Sequence, residues 1–287
     1  MAVFISMFTD FGFKRLFGQE DNKGLLIGFL NVLFEGEFVV QDVVYRDKER
    51  IGKRREQRCV IFDIFCTTDG GDHFILEMQN KSQVHFEDRA LYYAAEGIVE
   101  QGKKGKWNFS FDAFLGIYFL NFLQDGLPDK VRSDFGIRML GNDDPKDLPV
   151  LTRKLRMIFL QLPLVPKTPE ECKTRLEQYL YVVNNMESLK EMPWKDKEKW
   201  FDDMAEAASV AALSAEEREI YDEELHAIWD SYSVREYEIV KATEEGREEG
   251  KIEVAQSMIA EGMSDTLIHK LTQLPVDEIN KLREKTE

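Results

Sequence analysis

Long apolar runs are missing from this sequence of 287 residues. No stretch approaches the roughly 20 consecutive apolar residues that a membrane-spanning helix needs. The opening segment MAVFISMFTDFGFK also lacks the basic start, the sustained apolar run and the cleavage site of a secretory signal. We therefore expect a cytoplasmic protein without a membrane partner.

Cysteine is scarce, and the usual cofactor motifs are absent. The three cysteines, Cys59, Cys66 and Cys172, form no CxxC pair, and the four histidines show no metal-ligand spacing, so neither a disulfide framework nor a zinc site is supported. The sequence contains no GxxxxGK[ST], GxGxxG or GxSxG pattern. Nucleotide-driven chemistry, dinucleotide binding and α/β-hydrolase chemistry therefore have no support.

Charge, by contrast, is abundant and unevenly distributed. The net charge is −16, yet residues 1–165 carry 22 Lys and Arg against 24 Asp and Glu, while residues 166–287 carry 16 against 30. The acidity therefore belongs to the C-terminal part and does not exclude a nucleic-acid partner for the rest. Six cations lie within eleven positions of the N-terminal part: Lys48, Arg50, Lys53, Arg54, Arg55 and Arg58. They fit either a solvated loop or a segment that binds a phosphate backbone.

Hydrophobic spacing predicts a mixed α/β (α+β) fold. We expect a helix capped by Asp10, a second helix capped by Asn22, and a third over residues 83–101. Strands are expected over 59–67 and 73–80, joined by the hairpin turn TDGGD, and over 114–123, 135–140 and 155–162. The expected divisions are a core of residues 1–165, an acidic helical region of 166–240, and a tail of 241–287 that resembles a helix-turn-helix.

Two carboxylates of the hairpin interrupt strands that are otherwise mostly apolar. Asp63 is the only residue of the run Val60–Cys66 that is not apolar, and Glu77 and Gln79 interrupt the partner strand on one shared face. Folding the hairpin about Gly70 pairs residues whose numbers sum to 140, so Asp63 should face Glu77. Two such carboxylates fit a site for Mg²⁺ or Mn²⁺, which prefer hard oxygen ligands. The alternative is a structural pair that shares a proton or contacts Arg89 or Lys14.

The helix after the hairpin offers two further candidates. Arg89 and Tyr93 lie one turn apart, so both side chains can point toward the carboxylates. Arg89 could bind phosphate or brace Glu77, or it could form an ordinary ion pair beside core tyrosines.

Four segments carry a family resemblance: DFGFKRLFG, VIFDIF, FILEMQ and DRALYYAAE. They resemble the PD-(D/E)XK nuclease family transposases, also called recombination-promoting nucleases. The resemblance implies a restriction-endonuclease-like core and a metal-dependent DNA endonuclease that promotes recombination. It also implies that Asp63 and Glu77 are metal ligands, with the carbonyl of Met78 as a third. From the cation run and the helix face described above, we expect Arg54, Arg55, Arg58, Arg89 and Tyr93 to contact DNA.

One position departs from the pattern of the wider superfamily. Gln79 stands where many members have lysine, and a neutral amide can orient the attacking water but cannot take its proton. Lys81, on the same face if the strand continues, and Lys14, from the first helix, are candidate replacements, with a surface lysine of no catalytic role as the alternative for each. The departure leaves a second function open, a catalytically silent DNA-binding or protein-interaction module. A homo-oligomer formed through the C-terminal helices is also open.

Overall fold

The protein divides between Leu225 and His226 into two compact units. This computed structural model describes residues 2–46, 62–138 and 150–284, so the cations from Lys48 to Arg58 lie outside the described residues. The three-part division at 165 and 240 stays a prediction, although residues 166–225 belong to the same unit as the sheet.

Two N-terminal helices cover one face of the sheet. Helix α1 spans Asp10–Phe17 and helix α2 spans Lys23–Leu33. The expected cap of α1 was wrong by one residue: Thr9, not Asp10, is the N-cap, and its hydroxyl accepts from the backbone N–H of Gly12 at 2.9 Å. Asn22 occupies the predicted N-cap position of α2, but its side chain makes no capping hydrogen bond and donates instead to the carbonyl of Arg15. A hydroxyl cap satisfies one of the four orphan N–H groups of the first turn.

A six-stranded mixed sheet forms the centre of the first unit, in the order β1-β2-β3-β4-β6-β5. The strands are β1 Val43–Tyr45, β2 Ile64–Thr68, β3 His73–Gln79, β4 Phe114–Leu120, β5 Arg132–Arg138 and β6 Val150–Gln161. β3, β4 and β6 are mutually parallel, whereas β1, β2 and β5 run antiparallel to their neighbours. The fold class predicted from the sequence is confirmed.

The hairpin of β2 and β3 has the predicted register. Ile64 pairs with Leu76 and Phe65 pairs with Ile75, so the paired numbers sum to 140. Gly71 adopts a φ of 91° in the turn, a conformation that glycine reaches without steric cost. Asp63 directly precedes β2 and lies level with Glu77 of the partner strand.

Helices cover both faces of the sheet. Helix α3, Phe86–Val99, packs on one face with Ile75, Phe114 and Tyr118. The opposite face belongs to the larger core, where Phe29 of α2 lies 5.2 Å from Phe119, ring centroid to ring centroid. Burial on both sides explains why β4 is apolar at every position.

The acidic region contributes to that larger core. Helices α4, Arg175–Asn185, and α5, Lys199–Ala207, both contact α2. Trp200 stacks on Tyr179 at 3.7 Å and donates its indole N–H to the carbonyl of Leu25. Trp200 is buried, whereas Trp229 is 47% exposed.

Helix α6 spans Ala215–Ala260, and its described length includes the charged segment 237–250. Among the described residues, no helix is both long enough and apolar enough to cross a membrane.

The tail forms its own small core. Helices α7, Asp265–Thr272, and α8, Val276–Glu284, bury Ile268, Ile279 and Leu282 together with Ala255 and Ile259 of α6. The turn between α7 and α8 places Gln273 at a φ of 61°, in the left-handed region. The short two-helix arrangement predicted for this tail is therefore present.

Candidate active site

Two hydrogen bonds tie Asp63 to β3 beside Glu77 at one end of the hairpin. The backbone N–H of Asp63 donates to Oε1 of Glu77 at 3.2 Å, and Oδ2 of Asp63 accepts from the backbone N–H of Met78 at 2.9 Å. Glu77 is only 4% exposed, whereas Asp63 is half-buried. The structure thus brings together the two carboxylates that the sequence singled out.

The electrostatics of this pair favour a positive charge beside it. Burial, and then the neighbouring Asp63 carboxylate, raise the pKa of Glu77 to about 8. The hydrogen bond from the Asp63 backbone and the more distant charge of Arg89 act in the opposite direction without offsetting the rise. Burial disfavours the charged form of a carboxylate, and a cation bound beside it reverses that preference.

Gln79 connects the carboxylate pair to helix α3. Its Nε2 donates to Oε2 of Glu77 at 3.2 Å, and its Oε1 accepts from Nη2 of Arg89 at 2.6 Å. A guanidinium can only donate and a carboxylate can only accept, so the two neighbours fix the orientation of the amide. The side chain therefore serves as a link between Glu77 and Arg89, a role that the sequence pattern did not predict.

Arg89 is held on the surface of α3 by aromatic rings. Its guanidinium lies 5.6 Å from the ring centroid of Phe86 and 5.7 Å from that of Tyr93, and Nη1 donates to Oε1 of Gln83 at 2.5 Å. The predicted convergence of Arg89 and Tyr93 near the carboxylates is present. Phe86 and Gln83 were missed, although the spacing of Phe86, Arg89 and Tyr93 places all three on one helix face.

The structure does not assemble the candidate lysines around the carboxylates. Lys14 forms an ion pair with Asp10 one turn earlier on α1, at 2.5 Å. Lys81 was expected on the face of Glu77 if the strand continued, but β3 ends at Gln79 and Lys81 is an exposed residue of the following bend. That expectation was wrong because the strand alternation stops too early. Arg54, Arg55 and Arg58 lie outside the described residues.

The donor set suits a hard divalent cation. Asp63 and Glu77 supply carboxylate oxygens, and Mg²⁺ is typically bound through one or two carboxylates while it keeps several waters. Within residues 2–46, 62–138 and 150–284, no cluster of three or more His, Cys, Asp and Glu side chains could hold a metal. A fully protein-ligated site is thus not found in this part of the chain, whereas a two-carboxylate site fits its residues.

A comparison with family models places this hairpin in a known context. The model described as PD-(D/E)XK nuclease family transposase matches residues 7–238, which include all six strands, and its name indicates a nuclease-type function. No curated protein and no solved structure matches the chain in the other two comparisons. Because the match extends over much more than half of the sequence, the chain belongs to the PD-(D/E)XK nuclease family transposases.

Proposed function

We propose that this protein is a metal-dependent DNA endonuclease that hydrolyses phosphodiester bonds and promotes recombination. The observation that carries the proposal is the placement of Asp63 beside Glu77 in a family of nuclease type. The Asp63 backbone donates to the Glu77 carboxylate, and burial and then the Asp63 charge raise the pKa of Glu77. An acidic pair of this kind costs free energy unless a cation offsets it. The family supports DNA as the substrate and recombination as the outcome in this proposal.

In this proposal Asp63 and Glu77 hold Mg²⁺ or Mn²⁺, with the carbonyl of Met78 as a third ligand. When bound, such an ion polarises the phosphoryl group and lowers the pKa of a coordinated water. The protein's own contribution is to hold the two carboxyl groups in position, and the charge of the cation would favour the ionised form of Glu77. The hydrogen bond from the Met78 backbone to Asp63 fixes one carboxylate against β3, and Gln79 fixes the other.

Gln79 has a positioning role in this proposal. Its amide uses one N–H on Glu77 and one lone pair on Arg89, so a second N–H and a second lone pair remain to orient the attacking water. Arg89 supports this arrangement from α3 and adds a positive charge near Glu77. Contacts of Arg89, Tyr93, Arg54, Arg55 and Arg58 with the DNA backbone stay predictions, as do catalytic roles for Lys14 and Lys81.

A supercoiled-plasmid assay tests the proposal. We expect nicking or linearisation with Mg²⁺ or Mn²⁺, none with EDTA, and at least a hundredfold loss for Asp63→Ala and Glu77→Ala. The exposed Asp125 provides a matched control, and Asp125→Ala should cleave like the wild type. Cleavage retained by both carboxylate variants would contradict the assignment of Asp63 and Glu77 as the nuclease site.

The engagement of Gln79 on both sides favours a second candidate function. Gln79 is an amide where many superfamily members have lysine, and both Glu77 and Arg89 hydrogen-bond to it. Such a fold could bind DNA without cleaving it. In that case, the folded wild type binds DNA but cleaves no plasmid under any metal condition. A homo-oligomer through the C-terminal helices stays a prediction for either function.

A further inference from the structure

A second site lies at the opposite end of the same hairpin. A cavity of about 610 Å³ opens beside the start of β3 and the end of α3, where Phe65, His73 and Gly97 form part of its wall. His73 and Glu77 are four residues apart on β3, which corresponds to roughly 13 Å. The cavity is therefore separate from the carboxylate pair, although both lie on the α3 face of the sheet.

Aromatic rings form one part of the cavity wall. Trp107, Phe111 and Phe65 line it, and the Phe65 ring is tilted against the His73 ring, with 5.8 Å between centroids and 31° between planes. Burial lowers the pKa of His73, so at neutral pH this wall presents an uncharged ring. Flat uncharged rings are the surfaces on which nucleobases stack.

The loop that carries Trp107 holds a strained conformation. Phe109 adopts a φ of 59° and is 76% exposed, with its ring 4.9 Å from that of Trp107. The indole N–H of Trp107 donates to the carbonyl of Ser110, and the N–H of Ser110 donates to Oδ1 of Asn108. A left-handed backbone conformation is disfavoured for an aromatic residue, and such strain is concentrated at binding sites.

Cations stand beside these rings. Arg46 and Lys103 line the cavity, and Lys104 and Lys106 follow within the same loop, in a chain whose net charge is −16. The Nε of Arg46 donates to Oγ1 of Thr67, which directs the arginine to the cavity end of β2. Asp112, also in the wall, offers carboxylate oxygens that can accept from the amino groups of a base.

We propose that this cavity binds a nucleotide, with the base stacked on Trp107 and Phe65 and the phosphate paired with Arg46 and Lys103. The volume falls within the range of small-ligand pockets, and a nucleotide combines the two features that the wall recognises, a flat ring system and an anionic group. The ligand is either a free nucleotide or a nucleotide within a single DNA strand. Nothing in this assignment depends on cleavage at Asp63 and Glu77.

Binding is measured in EDTA, so that cleavage cannot interfere. In the first arm the protein is titrated with each of the four deoxynucleoside 5′-monophosphates, and calorimetry measures binding. In the second arm it is titrated with a labelled 12-nucleotide single strand of thymidines, and fluorescence anisotropy measures binding. We expect one or both probes to bind and Trp107→Ala to weaken that binding at least tenfold. Trp107→Phe keeps a stacking ring and should stay within threefold of the wild type, as should Trp229→Ala, a matched control in the other unit.

Lys103→Glu tests the phosphate contact without disturbing a packed side chain, because Lys103 is exposed. It should weaken the same probe at least tenfold. Binding of the monophosphates identifies a free-nucleotide site, and binding of the oligonucleotide alone identifies a strand site. The proposal is overturned if neither probe binds, or if the affinity is unchanged within threefold in both Trp107→Ala and Lys103→Glu. Asp63→Ala should lose cleavage and keep this binding, which separates the two proposals.

Discussion

The backbone N–H of Asp63 donates to the carboxylate of Glu77 at 3.2 Å, so the first residue of the hairpin site holds the second. In return, the Asp63 carboxylate is bound by the N–H of Met78, the residue after Glu77. These two bonds fix Asp63 against β3 beside Glu77. The fold therefore assembles the site, and the negative charge of the site lowers the stability of the folded protein.

That cost predicts the stability of a Glu77→Gln variant. The raised pKa of Glu77 means that its contribution to stability is complete below the unfolded pKa of 4.5 and is lost as the pH rises through about 8. Because the amide of glutamine does not ionise, the Glu77→Gln variant does not lose this stability at high pH. We expect the metal-free Glu77→Gln variant to be more stable than the wild type by on the order of 2–4 kcal/mol at pH 9, and nearly equal at pH 4.

Urea unfolding in EDTA at the two pH values measures this difference. Glu244→Gln, on an exposed position of α6, is the matched control and should show no pH-dependent gain. Equal stability of wild type and Glu77→Gln at pH 9 would mean that Glu77 is not destabilised by its surroundings.

We expect Arg89 to contribute to activity through its link to Glu77 by way of Gln79. Its guanidinium binds Gln79 and Gln83 at the same time, a geometry that a lysine ammonium cannot reproduce. We expect Arg89→Ala and Arg89→Lys to reduce plasmid cleavage about 10-fold to 100-fold. The pH at which cleavage reaches half its maximum should also rise, because the charge that lowers the pKa of Glu77 is lost or displaced.

The pH profile of cleavage distinguishes this positioning role from simple loss of DNA binding. Weaker DNA binding alone would lower the rate at every pH and leave the midpoint in place. An Arg89→Lys variant with the wild-type rate and profile would show that the Gln79 link has no function.

The close packing of α3 on the sheet depends on Gly97. A Cβ atom added there would lie 1.9 Å from the Phe114 ring, far inside any allowed contact. We expect Gly97→Ala to lower the free energy of unfolding by about 2–3 kcal/mol, since the helix or the ring must move. Gly24→Ala, in α2 with no atom within 4 Å of the added Cβ, should instead stabilise by about 0.5–1 kcal/mol.

Thermal unfolding of the two glycine variants checks this contrast in one experiment. If Gly97→Ala unfolds at the wild-type temperature, then α3 does not approach β4 as closely as the structure has it.

An ion cluster on the other side of the sheet predicts acid sensitivity. Arg156 donates to Glu37 at 3.0 Å and to Asp134 at 2.8 Å, and Arg132 donates to Asp134 at 2.7 Å. The hydrogen bonds from Arg156 lower the pKa of Glu37, and those from both arginines lower the pKa of Asp134 against the opposing effect of burial. Stability from these groups is present above their unfolded pKa values and is lost as the pH falls through the lowered ones.

We therefore expect Arg156→Met to cost about 1 kcal/mol at pH 7, and less as the pH falls through the lowered pKa values, because the wild type then loses the same ion pairs. Urea unfolding over this pH range measures it. The half-exposed position of the cluster keeps the effect small, and a cost that did not change with pH would assign it to packing on Phe34 instead.

Much of the hairpin could be predicted because its signals are local. The glycines of the turn fix the register, and the register alone sets Asp63 level with Glu77. The link from Gln79 to Arg89 could not be predicted in the same way, since it depends on how closely α3 approaches β3. Where β3 ends also depends on tertiary pairing, which is why the expected placement of Lys81 failed.

The cavity beside His73 shows the same limit. The segment 102–107, GKKGKW, indicates positive charge, and no pattern in it predicts that Phe109 adopts a left-handed conformation. The residues of the cavity wall come from β2, β3, α3 and the loop after α3, so the site forms only when the chain folds. Helices, by contrast, were predictable within a few residues because apolar spacing and caps determine them.

The most direct test of the central claim is calorimetric titration of the protein with Mn²⁺ at pH 8, beside Asp63→Asn and Glu77→Gln, with Asp125→Asn as the control. Both variants keep the shape of the side chain and remove its charge, so the comparison isolates the carboxylates. We predict saturable Mn²⁺ binding to the wild type and to the control, and a loss of at least tenfold in affinity in each site variant. Equal Mn²⁺ affinity in all four proteins would contradict a metal centre at Asp63 and Glu77.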